Sequence, residues 1–174
     1  MQRRSLLRLG LLASVTLGVA GAGVAFWTPG WLQGRFSPAA RALWRAVAQA
    51  VLADLLPSDA TARQTALDQH LERLQATVAG LPPATRNELS QLLALLDLAP
   101  SRLALTGLRQ GWAAADPQDV QAALQAMRLS DNTTRQQIYH ALRDLTQAAY
   151  FASPATWAVL GYPGPAALAG SVAP

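Results

Sequence analysis

An all-α bundle of about five or six helices, following an N-terminal leader helix, is the fold the sequence predicts. Three observations carry it. Apolar residues recur every three or four positions through most of the chain, the spacing of one helix face. Proline and glycine fall between these periodic stretches, several as Ser-Pro or Asp-Pro pairs that open helices. Sustained alternation of β-branched residues is absent, and Ile138 is the single isoleucine. No fixed-period repeat is evident, which argues against a solenoid.

Ser37-Pro38 places an N-cap before a first-turn proline, and the helix it opens can run to Leu56 before Pro57 stops it. Leu43, Val47, Val51 and Leu55 form its apolar stripe, with Arg41, Arg45 and Gln49 on another face. A second helix follows Ser58-Asp59 and ends near Gly80, with Leu67, Leu71, Leu74 and Val78 facing inward. Pro82-Pro83 starts a third, carrying Leu89, Leu92, Leu93 and Leu96. Ala99-Pro100 to Gly107 reads as a short connecting helix. Asp116-Pro117 opens a fifth, with Val120, Leu124 and Met127. The sixth spans about Asn132 to Tyr150 on a core stripe of Ile138, Leu142 and Leu145. Ser153-Pro154 caps a last short turn that stops at Gly161.

The chain opens with the layout of an export leader. Arg3, Arg4 and Arg8, with Leu6 and Leu7 between them, resemble the twin-arginine signal that carries folded proteins across a bacterial inner membrane. An uncharged run from Leu9 to Phe26 follows, diluted by glycines, and Ala20-Gly21-Ala22 offers a cleavage site. A retained anchor is the other reading, since a span needs roughly 20 apolar residues. Either reading puts the bulk of the chain in the periplasm, soluble or attached to the outer face of the inner membrane. The expected organisation is a signal over residues 1–22 (as an anchor, to about 27), a linker over 23–36, a bundle over 37–165 and a flexible tail over 166–174. The leader glycines read G-x-x-G-x-G, not the order of a dinucleotide loop, and no strand frames them.

Composition narrows the function. All 14 basic residues are arginine, and three stand in the leader, leaving 11 against 10 acids. These are scattered singly, so a basic face for nucleic acid is not expected. The chain has no cysteine, which removes disulfides, thiolate metal sites, iron–sulfur ligation and covalent haem attachment.

Catalytic and cofactor residues are expected to be none in this chain. Its carboxylates occur one at a time, outside any metal-ligand spacing. Of the two histidines, His70 lies on the flank of the second helix's stripe, where a boundary imidazole packs its ring. His140 stands on the polar face of the sixth helix, four residues before Asp144, as a solvated pair on the helix surface. A catalytic dyad there lacks a nucleophile nearby in sequence.

The densest signal is at the end. Tyr139, Arg143, Thr146 and Tyr150 make a second stripe on the sixth helix, about 100° from the first. Tyrosine and arginine combine large contact area with polar ends, the composition of a protein interface. A wide core stripe with tyrosines at its rim fits the same spacing. Phe151, Trp157 and Tyr162 follow in a segment that proline and glycine hold to one path, up to Pro163-Gly164-Pro165. A cap over the open end of the bundle is the alternative role for that segment. Candidate interface residues are Tyr139, Arg143, Tyr150, Trp157, Tyr162 and Pro163.

Leu142-Arg143-Asp144-Leu145-Thr146, Ala149-Tyr150-Phe151, Ser153-Pro154, Trp157 and Leu160-Gly161-Tyr162-Pro163-Gly164-Pro165 resemble the C-terminal signature of the gluconate 2-dehydrogenase subunit 3 family. These are small subunits accompanying flavin dehydrogenases of the glucose–methanol–choline type. The resemblance is specific over about 30 residues, and elsewhere rests on helical character and the leader. It implies a non-catalytic subunit that binds a folded FAD-dependent large subunit and escorts it through the twin-arginine translocase, with a cytochrome subunit as a further partner in some complexes. FAD would then sit on the large subunit. Related subunits often contain cysteines, so any disulfide bracing they use does not carry over. A membrane-anchored periplasmic scaffold or binding protein is the alternative.

Overall fold

The computed structural model describes residues 28–161. They form an all-α bundle of six helices, with one two-stranded hairpin and two 3₁₀ segments. The helices are α1 (Pro38–Val51), α2 (Ala60–Ala79), α3 (Pro83–Asp97), α4 (Ala99–Thr106), α5 (Pro117–Arg128) and α6 (Thr133–Phe151). The 3₁₀ segments are Ala53–Leu55, after α1, and Pro154–Leu160, after α6.

Local chemistry sets the helix starts. The Ser37 hydroxyl accepts from the Ala40 amide at 3.2 Å, and Pro38 supplies a preset first turn. Asp59 caps α2 through Ala62 N–H at 2.8 Å. Asp116 does the same for α5 at Gln118, and Asn132 for α6 at Thr134 and Arg135. At the far end of α2, the Arg86 guanidinium donates to the Ala79 and Leu81 carbonyls, which lack helical partners. Gly107 closes α4 at φ 82°, the left-handed cap that favours glycine.

Helix α1 is the centre of the bundle and packs against α2, α3, α5 and α6. Being surrounded, it buries a face wider than the single predicted stripe: Ala40, Leu43, Trp44, Val47 and Ala48 are all interior. Val51 and Leu55 are only partly covered, because the helix ends at Val51 and turns into the 3₁₀ segment before Pro57. Arg41 and Arg45 leave the bundle centre and form ion pairs with Glu72 and Asp68 of α2. Most buried side chains join one cluster around α1. A smaller one, Ala48, Leu52, Leu67 and Tyr150, fills the end where α1, α2 and α6 meet.

The described part of the expected linker is folded. Trp31–Leu32 (β1) and Arg35–Phe36 (β2) pair antiparallel, in register Trp31↔Phe36. Gln33 at φ 49° and Gly34 at φ 82° form the two-residue turn that matches strand twist. Two residues per strand are too few for an alternation pattern, which is why no strand was expected here. Packing holds the hairpin: Phe36 is buried, meets Trp31 edge-on at 5.0 Å and lies 6.1 Å from the Trp44 ring. Gly30 donates to the Ser90 carbonyl at 3.1 Å, and Trp31 N–H to the Ser90 hydroxyl at 3.0 Å. That approach to α3 needs glycine, since a Cβ at residue 30 would collide with the Leu93 Cβ.

Among the described residues, no helix is long and apolar enough to cross a membrane. The leader, with its anchor reading, lies outside them.

Candidate partner-binding surface

Helix α6 crosses the bundle with two different environments along one predicted stripe. The helix packs on α5, α1 and α2, and its C-terminal end at Tyr150 is enclosed by α2 and the turn after α1. The Tyr139–Tyr150 stripe therefore divides. Tyr139 is half-buried, its ring against the core rim, and Arg143 is half-buried beside it. Thr146 and Tyr150 are interior.

The exposed part is a compact group on adjacent turns. The Arg143 guanidinium carbon lies 6.0 Å from the Tyr139 ring centroid, at the outer range of a cation–π contact. Arg143 Nε stands 3.1 Å from Asp144 Oδ1, an ion pair without hydrogen-bond alignment. His140 meets Tyr139 edge-on at 5.2 Å. Asp144 thus pairs with Arg143, and the expected surface pair of His140 and Asp144 gives way to a His140–Tyr139 ring contact. The four side chains offer an aromatic face, both charge signs and an imidazole within two turns.

Tyr150, expected among the interface residues, is 7% exposed, and its hydroxyl donates to the Leu55 carbonyl within this chain. Trp157 is half-buried on the turn after α6, and its indole N–H donates to the Phe151 carbonyl at 2.8 Å. Thr156 fixes the same turn through the Tyr150 and Ser153 carbonyls. Tyr162 and Pro163 lie outside the described residues, as do Arg3, Arg4, Leu6, Leu7, Arg8, Ala20 and Ala22.

A second surface feature went unread in the sequence. Thr106–Gln110 and the outer face of α5 border an open groove of about 430 Å³, floored by Ala122, Ala123 and Ala126. Arg109 and Asp119 are its charged groups. Alanine carries no chemistry to notice in a sequence, so only the loop's placement shows the groove.

His70, on α2, is fully buried beside Tyr150 of α6, not at the bundle boundary. Neither ring nitrogen has a hydrogen-bond partner, and its ring lies 6.3 Å from that of Tyr150. Burial, with a contribution from the Arg73 charge, lowers its pKa from 6.5 to about 4. The imidazole is neutral at neutral pH. Among the described residues, no group of three His, Asp or Glu side chains is placed to hold a metal ion.

Comparison with family models, with curated proteins and with solved structures finds no match.

Proposed function

We propose that this chain is the non-catalytic small subunit of a flavin dehydrogenase complex. It binds the folded, FAD-bearing large subunit, stabilises it and escorts it through twin-arginine export to the periplasm. One observation carries the reading: the opening residues, with Arg3-Arg4 and the uncharged run after Arg8, resemble a twin-arginine leader, a signal for folded cargo, ahead of a sequence in which we read no cofactor motif. A signal for folded export makes physical sense when the folded cargo is another polypeptide.

Two further observations support it. The residues from Leu142 to Pro165 resemble the C-terminal signature of the gluconate 2-dehydrogenase subunit 3 family. On α6, Tyr139, His140, Arg143 and Asp144 form a half-exposed group rich in the residue types that anchor interfaces. Trp157, on a turn tied down by three side-chain hydrogen bonds, extends that end of the chain with little ordering left to lose on binding.

Affinity purification of the tagged full-length chain from the cytoplasm and the periplasm of its own cells tests the proposal. A larger polypeptide with the absorbance band of bound flavin should accompany it in both fractions. Recovery of the chain alone from both would refute the escort role and favour the anchored scaffold.

A further inference from the structure

The joint between α2 and α6 contains polar groups that the fold leaves unmatched. His70 on α2 is fully buried with both nitrogens unpartnered, its ring 6.3 Å from that of Tyr150, and Thr146, one turn before Tyr150 on α6, is fully buried with its hydroxyl unpartnered. Buried polar atoms without partners are rare in folded proteins and costly, so a group of them marks a weak point in otherwise apolar packing. The other buried positions on these two helices include Leu67, Leu71 and Leu74 on α2 and Leu142, Leu145 and Ala149 on α6, none of which can donate or accept a hydrogen bond through its side chain.

The charges near the joint do not favour an imidazolium. On α2 itself Arg73 is a like charge, one turn from His70. Asp68 and Glu72 lie two residues either side of His70, on another face of the helix, and are taken up by Arg45 and Arg41 of α1. On α6 the carboxylate of Asp144 is exposed and pairs with Arg143, while Tyr150 spends its hydroxyl on Leu55. Among the described residues, no carboxylate is placed to receive a charge on His70.

We propose that His70, with Thr146, makes the α2–α6 joint a proton-sensitive catch, closed while the imidazole is neutral and opened by acid. This goes beyond the partner-binding reading and does not depend on it. The direction follows from linkage. In the open joint His70 regains its ordinary affinity for protons, whereas the closed joint holds it depressed to about 4. Stability from the closed joint is fully present above pH 6.5 and is lost as pH falls from 6.5 towards 4. Over that window the open population should rise as pH falls, by up to about tenfold per pH unit.

The full chain tests this in two ways. The first follows the two imidazole ring-proton signals by NMR from about pH 7.5 downward, assigned with the surface variant His140→Gln. The signal of His70 should stay unshifted until the pH approaches its depressed value, and titration near 6.5 would overturn the proposal. The second compares urea unfolding of the wild-type chain and His70→Met at about pH 7 and pH 5. The wild-type free energy should drop more steeply with acid than that of the methionine variant, which keeps the volume but has no proton to take up. Equal pH slopes would overturn the proposal. If His70→Met does not fold, the NMR titration decides alone.

Discussion

The Tyr150 hydroxyl donates a 3.1 Å hydrogen bond to the Leu55 carbonyl, across 95 residues of sequence. It ties the last turn of α6 to the 3₁₀ segment after α1, where α1 has stopped and carbonyls have lost their helical partners. The ring fills the small cluster with Ala48, Leu52 and Leu67 and meets Phe151 edge-on at 5.1 Å. Packing and polar satisfaction act on one side chain. Tyr150→Phe keeps the first and removes the second, so the chain should lose about 1 kcal/mol, read as a lower urea midpoint with unchanged m. An unchanged midpoint would mean that water serves the Leu55 carbonyl equally well.

Gly30 gives a steric counterpart. Gly30→Ala forces the hairpin away from α3 and strains the bonds to Ser90, at a cost of about 1–3 kcal/mol by urea unfolding. Gly34→Asn, at an exposed turn position with positive φ and open space, should change stability little and serves as the control.

Much of the fold was legible because its signals are local. Ser37, Asp59, Asp116 and Asn132 are caps that act within three residues, and the helices start where those residues stand. The hairpin was not legible, since Trp31–Leu32 and Arg35–Phe36 owe their form to contacts with Ser90, Gln75 and Trp44, far along the chain. Nor was the division of the α6 stripe. Spacing places Tyr139 and Tyr150 on one face, but only the position of α2 and the Leu55 turn decides that one stays at the rim and the other is enclosed. For the same reason His70, one position from the Leu71 stripe, turned out interior.

Arg143 separates folding from binding. Its ion pair with Asp144 and its contact with Tyr139 are surface interactions on one helix, worth a few tenths of a kcal/mol. Arg143→Ala should leave the urea midpoint of the isolated chain nearly unchanged while weakening capture of the proposed flavoprotein partner about tenfold or more. A large stability loss with normal capture would move Arg143 from the interface to the scaffold.

Trp157 is expected to contribute to both. Trp157→Ala removes the indole hydrogen bond to Phe151 and the covering of the turn after α6, so stability should fall by about 1–3 kcal/mol and capture of the proposed flavoprotein partner should weaken as well. Stability loss with capture unchanged, measured on the same preparation, would assign Trp157 to the cap alone.

The escort role is tested most directly by changing the signal and following the passenger. Replacing Arg3 and Arg4 by lysine keeps their charge but removes the twin-arginine pair, and the flavoprotein proposed as passenger can be measured in cytoplasm and periplasm. The account predicts that the flavoprotein stays in the cytoplasm, folded and still holding FAD. Its undiminished arrival in the periplasm would contradict the account.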